Sequence, residues 1–356
     1  MKKFKIAIDV SPLNDGNAVR GVGYYTRNLV QALQTEIKIN PDYRHYQIEL
    51  VTDNSDLVTD FDLIHYPFFD PFKLTLPSTD KAFIVTCHDL IPRAFKKHFP
   101  VGIKGEIKSL IQKHRLQQAA YIICPSHSAK YQIVDQISYP VDKIFTTYEA
   151  ATPNFKKITS QSLLTEIKNK YHLPDKFVLF VGDINWNKNI PSLVKACLHL
   201  KYPLVIAGSA AVKKVPLHPW TQDILWLQSQ KSPLIHLLGF VPDEDLAPLY
   251  NLATIYCQPS YSEGFGLPLV EAMQSGTPVA YSQESCLPEI MDFNGEYFDP
   301  YSQKSLETSL KKLWTDSKLR QKYSILGQKR AKFFSWQKTA IQTLSVYRLL
   351  ELNEKK

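Results

Sequence analysis

The sequence predicts an α/β protein made of two doubly wound parallel-sheet domains. Two observations carry this reading. A chain of 356 residues exceeds what one hydrophobic core ordinarily serves. Short β-branched or aromatic runs alternate with helical patterns along it, and the alternation starts afresh after Pro174.

Taken in order, strands are expected at 5–10, 46–52, 63–66, 82–87, 121–125 and 143–147, with helices near 24–35, 104–119 and 128–137. Thr152 and Pro153 break the pattern, and a linking helix at 163–171 leads into the second series. There strands are expected at 177–181, 204–207, 234–238, 254–258 and 278–281, and helices at 190–200, 243–252 and 268–274. Helical patterns at 305–314, 318–333 and 335–352 close the chain. This divides the chain into domains 1–160 and 161–334, followed by a terminal helix at 335–356. Ligands of open parallel sheets bind beyond the carboxyl ends of the strands, so two such domains facing a cleft would offer a site on each wall.

A hydrophobic content of 44% supports two cores. No apolar run approaches the roughly 20 residues that cross a bilayer, and the apolar stretch at the N-terminus is too short for a signal peptide, which points to the cytoplasm. Cys87, Cys124, Cys197, Cys257 and Cys286 are odd in number and widely spaced, arguing for small core residues rather than disulfides or a zinc site. The net charge of +8 suits anionic small molecules, acidic membrane surfaces or nucleic acid. No aromatic-rich recognition motif speaks for nucleic acid. Part of the charge lies in 93–115, where Lys96, Lys97, Lys104, Lys108, Lys113 and Arg115 interleave with apolar residues in an amphipathic helical pattern from Ile103 onward. Two roles stay open for it: a solvated helix packed on its own domain, or peripheral contact with an anionic membrane at the inner face.

The most informative segment is SYSEGFGLPLVEAMQSGTP at 260–278. Glu263 and Glu271 flank the glycine-rich turn Gly264, Phe265, Gly266 and Leu267, and Pro268 suits the first helical position. Amides at such a helix start point at an anion. Glu271, about one turn further, lies too near those amides to meet a diphosphate, so neutral hydroxyls such as those of a ribose are its natural partners. A capped surface helix with two solvated glutamates would use the same residues. Gly21 and Gly23 fall between the first strand and first helix, where a glycine turn could present amides to phosphate or serve as a plain connection.

Together with that segment, GVGYYTRNL at Gly21, TCHDLIP at Thr86, FVGDINWNKN at Phe180, LLGFVPDEDLAPLY at Leu237 and FSWQKTAIQTL at Phe334 make the chain resemble the retaining glycosyltransferases of family 4, over nearly its whole length. The resemblance implies the GT-B fold of two Rossmann-like domains, with the C-terminal helix crossing back to the first. It implies transfer of a hexose from a nucleotide-diphosphate sugar, of the GDP-mannose or UDP-glucose type, to a hydroxyl of a glycan or lipid-linked acceptor in polysaccharide assembly. No metal and no cofactor is implied. By the same resemblance Lys188 contacts the diphosphate, His88 and Glu263 handle the transferred sugar, Glu271 the ribose, and Phe240 and Val241 pass the base. Asn187 belongs to the donor set, yet Asp183 and Asn187 stand where an arginine is common in such enzymes, so a second cation is expected from Arg20 or Arg27. No residue stands out as a general base, which favours front-face attack. Epimerases, phosphorylases and a non-catalytic sugar-nucleotide binder share the architecture and are the alternatives.

Overall fold

The computed structural model describes residues 3–14, 16, 21–52 and 61–354. They fall into two compact units. The first comprises Met1–Lys96, Val101–Ala150 and Ser335–Lys356, the second Lys97–Pro100 and Ala151–Phe334.

In the first unit the order is β1 (Phe4–Asp9), α1 (Gly21–Ile39), β2 (Tyr46–Val51), β3 (Leu63–Tyr66), β4 (Phe83–Thr86), α2 (Ile91–Ala94), α3 (Gly102–Gln117), β5 (Tyr121–Cys124), α4 (His127–Ile137) and β6 (Ile144–Thr146). The strands form one parallel sheet in the order β2-β1-β3-β4-β5-β6. Successive side chains leave a strand on opposite faces, so Ile6 and Ile8 join one core with α1 residues Tyr25, Leu29 and Leu33, while Ala7 joins the other with Ile64 and Val85. Both faces of β3 and β4 are covered, so all four residues of each are buried, His65 and Thr86 included.

In the second unit α5 (Gln161–Lys170) precedes β7 (Val178–Val181), α6 (Ile190–Leu200), β8 (Leu204–Ala207), α7 (Gln222–Ser229), β9 (Ile235–Gly239), α8 (Asp243–Leu252), β10 (Ile255–Gln258), α9 (Leu267–Ser275), β11 (Val279–Ser282), α10 (Leu287–Met291), β12 (Glu296–Phe298), α11 (Gln303–Thr315) and α12 (Ser317–Ala331). Its sheet is also parallel, ordered β12-β11-β10-β7-β8-β9. Read from β9, this is the doubly wound dinucleotide-fold order, with its switch point between β7 and β10. The ends of β7 and β8 approach so closely that a Cβ on Gly208 would collide with the Gly182 carbonyl. All five cysteines are free and buried, as core residues should be.

The unit boundary lies at Ala150/Ala151, earlier than 160/161. The reason is packing: Phe155 is buried against Tyr250 with ring centroids 5.8 Å apart, and the Ile158 amide donates to Asn251 Oδ1 at 2.8 Å. Lys97–Pro100 also groups with the second unit, where His98 stacks on Trp186 at 3.6 Å. The last helix, α13 (Trp336–Glu354), belongs to the first unit. Its Ala340, Leu344, Tyr347 and Leu350 share the core of Tyr25 and Leu29. Polar ties reinforce this, since Thr339 Oγ1 donates to the Tyr148 carbonyl at 2.6 Å and Tyr46 Oη donates to Glu351 at 3.0 Å.

Candidate active site

The two strands at the switch point of the second sheet each deliver a functional loop. After β7 the chain turns through Trp186–Lys188 into α6, and after β10 it runs through Pro259 to Gly266 into α9. Asparagines bind the loops together. Asn187 Nδ2 donates to the Ser262 carbonyl at 3.0 Å, the Tyr261 amide returns a bond to the Asn187 carbonyl at 2.8 Å, and Asn189 Nδ2 reaches the Pro259 carbonyl at 3.1 Å. Asn189 can do this while opening α6 because it adopts the left-handed conformation at φ 53° that asparagine tolerates.

Lys188 between them is thereby aimed at Glu263, with Nζ at 2.8 Å from Oε1 and 2.7 Å from Oε2. Glu263 is 7% exposed, and an unpaired carboxylate at that depth would be costly. Its Oε1 therefore collects two further donors, Gln258 Nε2 and Ser260 Oγ, both at 2.6 Å. Gln258 is in turn oriented by Tyr256, whose hydroxyl donates to its Oε1. Burial raises the Tyr256 phenol well above its ordinary range, so it stays protonated and can only reinforce that polarity. The result is a fixed carboxylate with a fixed ammonium at the carboxyl edge of the sheet.

Beyond Glu263 the backbone passes Gly264 and Phe265 to Gly266, which caps α9 at φ 85°. A Cβ there would be strained and would stand 3.0 Å from Leu287, so glycine is required. Leu267 is the first helical residue and Pro268 the second, one later than the sequence pattern suggests. Glu271 is more enclosed than expected. It is 6% exposed, and its Oε2 accepts the Tyr250 hydroxyl at 2.8 Å. Burial pushes its carboxyl up to about 7 despite that hydrogen bond, with Asp243 adding to the rise. After β9, Phe240 projects outward at 60% exposure while Val241 is buried.

In the first unit His88 lies two residues past β4, half-buried, with its ring centroid 4.6 Å from that of Tyr25 in an edge-on contact. Its Nδ1 meets Glu149 Oε1 at 3.1 Å and its Nε2 the Pro67 carbonyl at 3.0 Å. A carboxylate and a carbonyl are both acceptors, so the doubly protonated ring can donate to each. Burial alone would push His88 down, but Glu149, the Pro67 carbonyl and Asp89 outweigh it and raise the pKa. Both contacts favour the protonated ring, in which neither nitrogen is available as a base. Gly21 and Gly23 both lie inside the first turn of α1 rather than ahead of it, placing their amides at a helix start. Asn187, expected in the donor set, is buried and donates its side-chain amide to the Ser262 carbonyl next to Lys188 and Glu263. Of the two arginines expected to supply a further cation, Arg27 is exposed on α1 and Arg20 lies outside the described residues.

The glycosyl transferases group 1 family model matches residues 165–330, the stretch that contains both functional loops. O-antigen chain mannosyltransferase B of Escherichia coli is 30% identical over 286 residues, covering 77% of this chain and 72% of that protein. The chain belongs to the glycosyl transferases of group 1. Serotype-specific mannosyltransferase WbdA of Escherichia coli is also 30% identical over 286 residues, though this chain spans only 34% of its length. The crystal structure of HepE from Anabaena in complex with UDP and glucose superposes with a TM-score of 0.72 over 97% of this chain and 99% of that one, at 16% identity, and shares the GT-B fold.

For this glycosyltransferase the sequence pointed to Lys188, Glu263, Glu271 and His88 but missed their keepers. Glu149 stands 61 residues from His88, and no spacing rule connects them. Gln258 did leave a signal: it is a polar residue ending the buried run IYCQ, and a buried polar side chain needs a partner.

Proposed function

We propose that this enzyme transfers a hexose, mannose in the first instance, from a nucleotide-diphosphate sugar to a hydroxyl of a glycan or lipid-linked acceptor, with retention and without a bound metal. The observation that supports it most is the Lys188–Glu263 pair at the switch point of the second sheet. Mannose is favoured because relatives are named as mannosyltransferases. In this reading Lys188 and the amides from Gly264 to Leu267 stabilise the diphosphate as negative charge develops on it. Glu263 accepts hydrogen bonds from hydroxyls of the departing sugar. Glu271 has only Oε2 engaged among the described residues, and a near-neutral carboxyl suits the ribose hydroxyls. Phe240 and Val241 meet the base. In the first unit, the His88 imidazolium and the amides at Gly21 and Gly23 serve the transferred sugar and phosphate.

The bond from the anomeric carbon to the phosphate oxygen breaks, and the acceptor oxygen bonds that carbon from the same face. The acceptor proton passes to the leaving phosphate oxygen, so no side-chain base is required and configuration is retained. A doubly hydrogen-bonded His88 fits this scheme, because it can supply positive charge but cannot take a proton.

Incubation with GDP-mannose and UDP-glucose, with and without glycan acceptors, tests the proposal through acceptor-dependent release of nucleoside diphosphate. Lys188→Gln keeps a donor for Glu263 while removing the charge, and should lower kcat/KM by about a hundredfold or more. Turnover that survives unchanged in a folded Lys188→Gln protein would overturn the assignment.

A further inference from the structure

Helix α3 is inverted. An amphipathic helix packed on its own domain buries its apolar stripe, whereas α3 turns polar side chains inward: Ser109, Gln112 and the single apolar Leu116 are its buried residues. Gln112 is the anchor, its Oε1 accepting the Leu76 amide at 3.0 Å and its Nε2 donating to the Leu76 carbonyl at 3.1 Å. Arg93 Nη1 donates to Ser109 Oγ on the same side. Facing away are Ile103, Ile107, Leu110 and Ile111, exposed by 82%, 53%, 64% and 39%. At 3.6 residues per turn their spacing forms one continuous stripe opposite Gln112.

Charge identifies what covers that stripe. Lys104 and Lys108 are exposed along one border, and Lys113 stands on the other side. The acid of this helix, Glu106, is already paired with Lys96 at 2.9 Å. An apolar ridge rimmed by ammonium groups matches an anionic lipid surface, where isoleucine and leucine enter the headgroup boundary while lysine stems reach back to phosphates. We propose that α3 is a membrane-surface helix that docks the protein on anionic bilayers through Ile103, Ile107, Leu110 and Ile111. The sequence left lipid contact and intradomain packing as alternatives for 93–115; the inward Gln112 and outward isoleucines decide for lipid. The proposal does not depend on the donor chemistry.

Flotation of the full chain with vesicles of phosphatidylcholine alone, or with about one-third phosphatidylglycerol, tests it. Binding is expected only with the anionic lipid and should weaken as salt rises. The double substitution Ile107→Ser, Leu110→Ser should reduce binding about tenfold or more, and Lys108→Glu about fivefold or more, since one lysine near the surface contributes about that factor. These positions are exposed, so melting temperatures should not fall. Failure of the intact protein to bind anionic vesicles, or undiminished binding by the double variant, would overturn the proposal. So would a dimer in sedimentation velocity that the double variant dissolves, which would make a second copy the occupant of the stripe.

Discussion

Glu271 shows how one buried carboxyl can make stability depend on pH. Its pKa rises from 4.5 to about 7 because burial disfavours the ionised form. For an acid whose folded pKa is raised, stability is greatest below the unfolded value and declines as pH climbs to the folded one. Glu271→Gln retains an acceptor for Tyr250 and removes the titration. Its gain over the wild type should be absent at pH 4 and reach about 3 kcal/mol by pH 8, several degrees in melting temperature. Melting curves that stay parallel across this range would refute the assignment. The same variant should weaken nucleotide binding only modestly, because a neutral amide still meets hydroxyls. At this scale the sequence revealed the residue types but not their protonation. Glu271 and Glu263 look alike in the motif, yet one sits opposite a tyrosine hydroxyl and the other in a cage of lysine, glutamine and serine.

Secondary structure was legible wherever an element is long enough to show its period. The expectation for β3, β8, α6 and α8 coincides with the observed bounds, and the other expected strands and helices differ by a few residues at their ends. What escaped is short: α2 with four residues, α10 with five, and β12 with three at the edge of its sheet. Neither a helical nor an alternating pattern can establish itself over such lengths. The eight-residue α7 was missed as well; its residues QDILWLQS carry little sidedness. For α13 the resemblance implied a helix crossing back to the first domain, and the structure makes it part of that unit's core. Tyr347 is fully buried and its hydroxyl lies 2.6 Å from His65 Nδ1, while His65 Nε2 lies 2.9 Å from Thr86 Oγ1. Burial holds His65 neutral by pushing it down to about 3. Ending the chain at Phe334 should therefore abolish cooperative folding of the first unit, and Tyr347→Phe, which orphans one imidazole nitrogen, should cost about 1–3 kcal/mol in urea denaturation. A truncated chain with unaltered far-UV dichroism and melting would show that α13 is dispensable.

At the scale of the molecule, two sheets with separate cores carry different responsibilities. The first has α1 and α13 on one face of its sheet and a second cluster on the other, and holds the His88–Glu149 pair. The second has the dinucleotide-fold order and, at the point where that order reverses, the Lys188 and Glu263 loops. A nucleoside diphosphate without its sugar should engage the groups of the second unit first, since Lys188, the α9 amides and Glu271 all belong to it. Binding restricted to the folded form stabilises by about 2.7 kcal/mol at a ligand concentration one hundred times Kd. That stabilisation should appear locally, as slowed amide exchange in the segments 183–189 and 259–271, before it spreads through β7 and β10. Hydrogen–deuterium exchange with GDP and UDP, read peptide by peptide, distinguishes the two nucleotides as well as the two units. Protection by GDP that exceeds protection by UDP, and that Lys188→Gln removes, would agree with a mannosyl donor. Protection confined to the first unit, with the 259–271 peptide unchanged, would show that the diphosphate does not bind at the switch point of the second sheet.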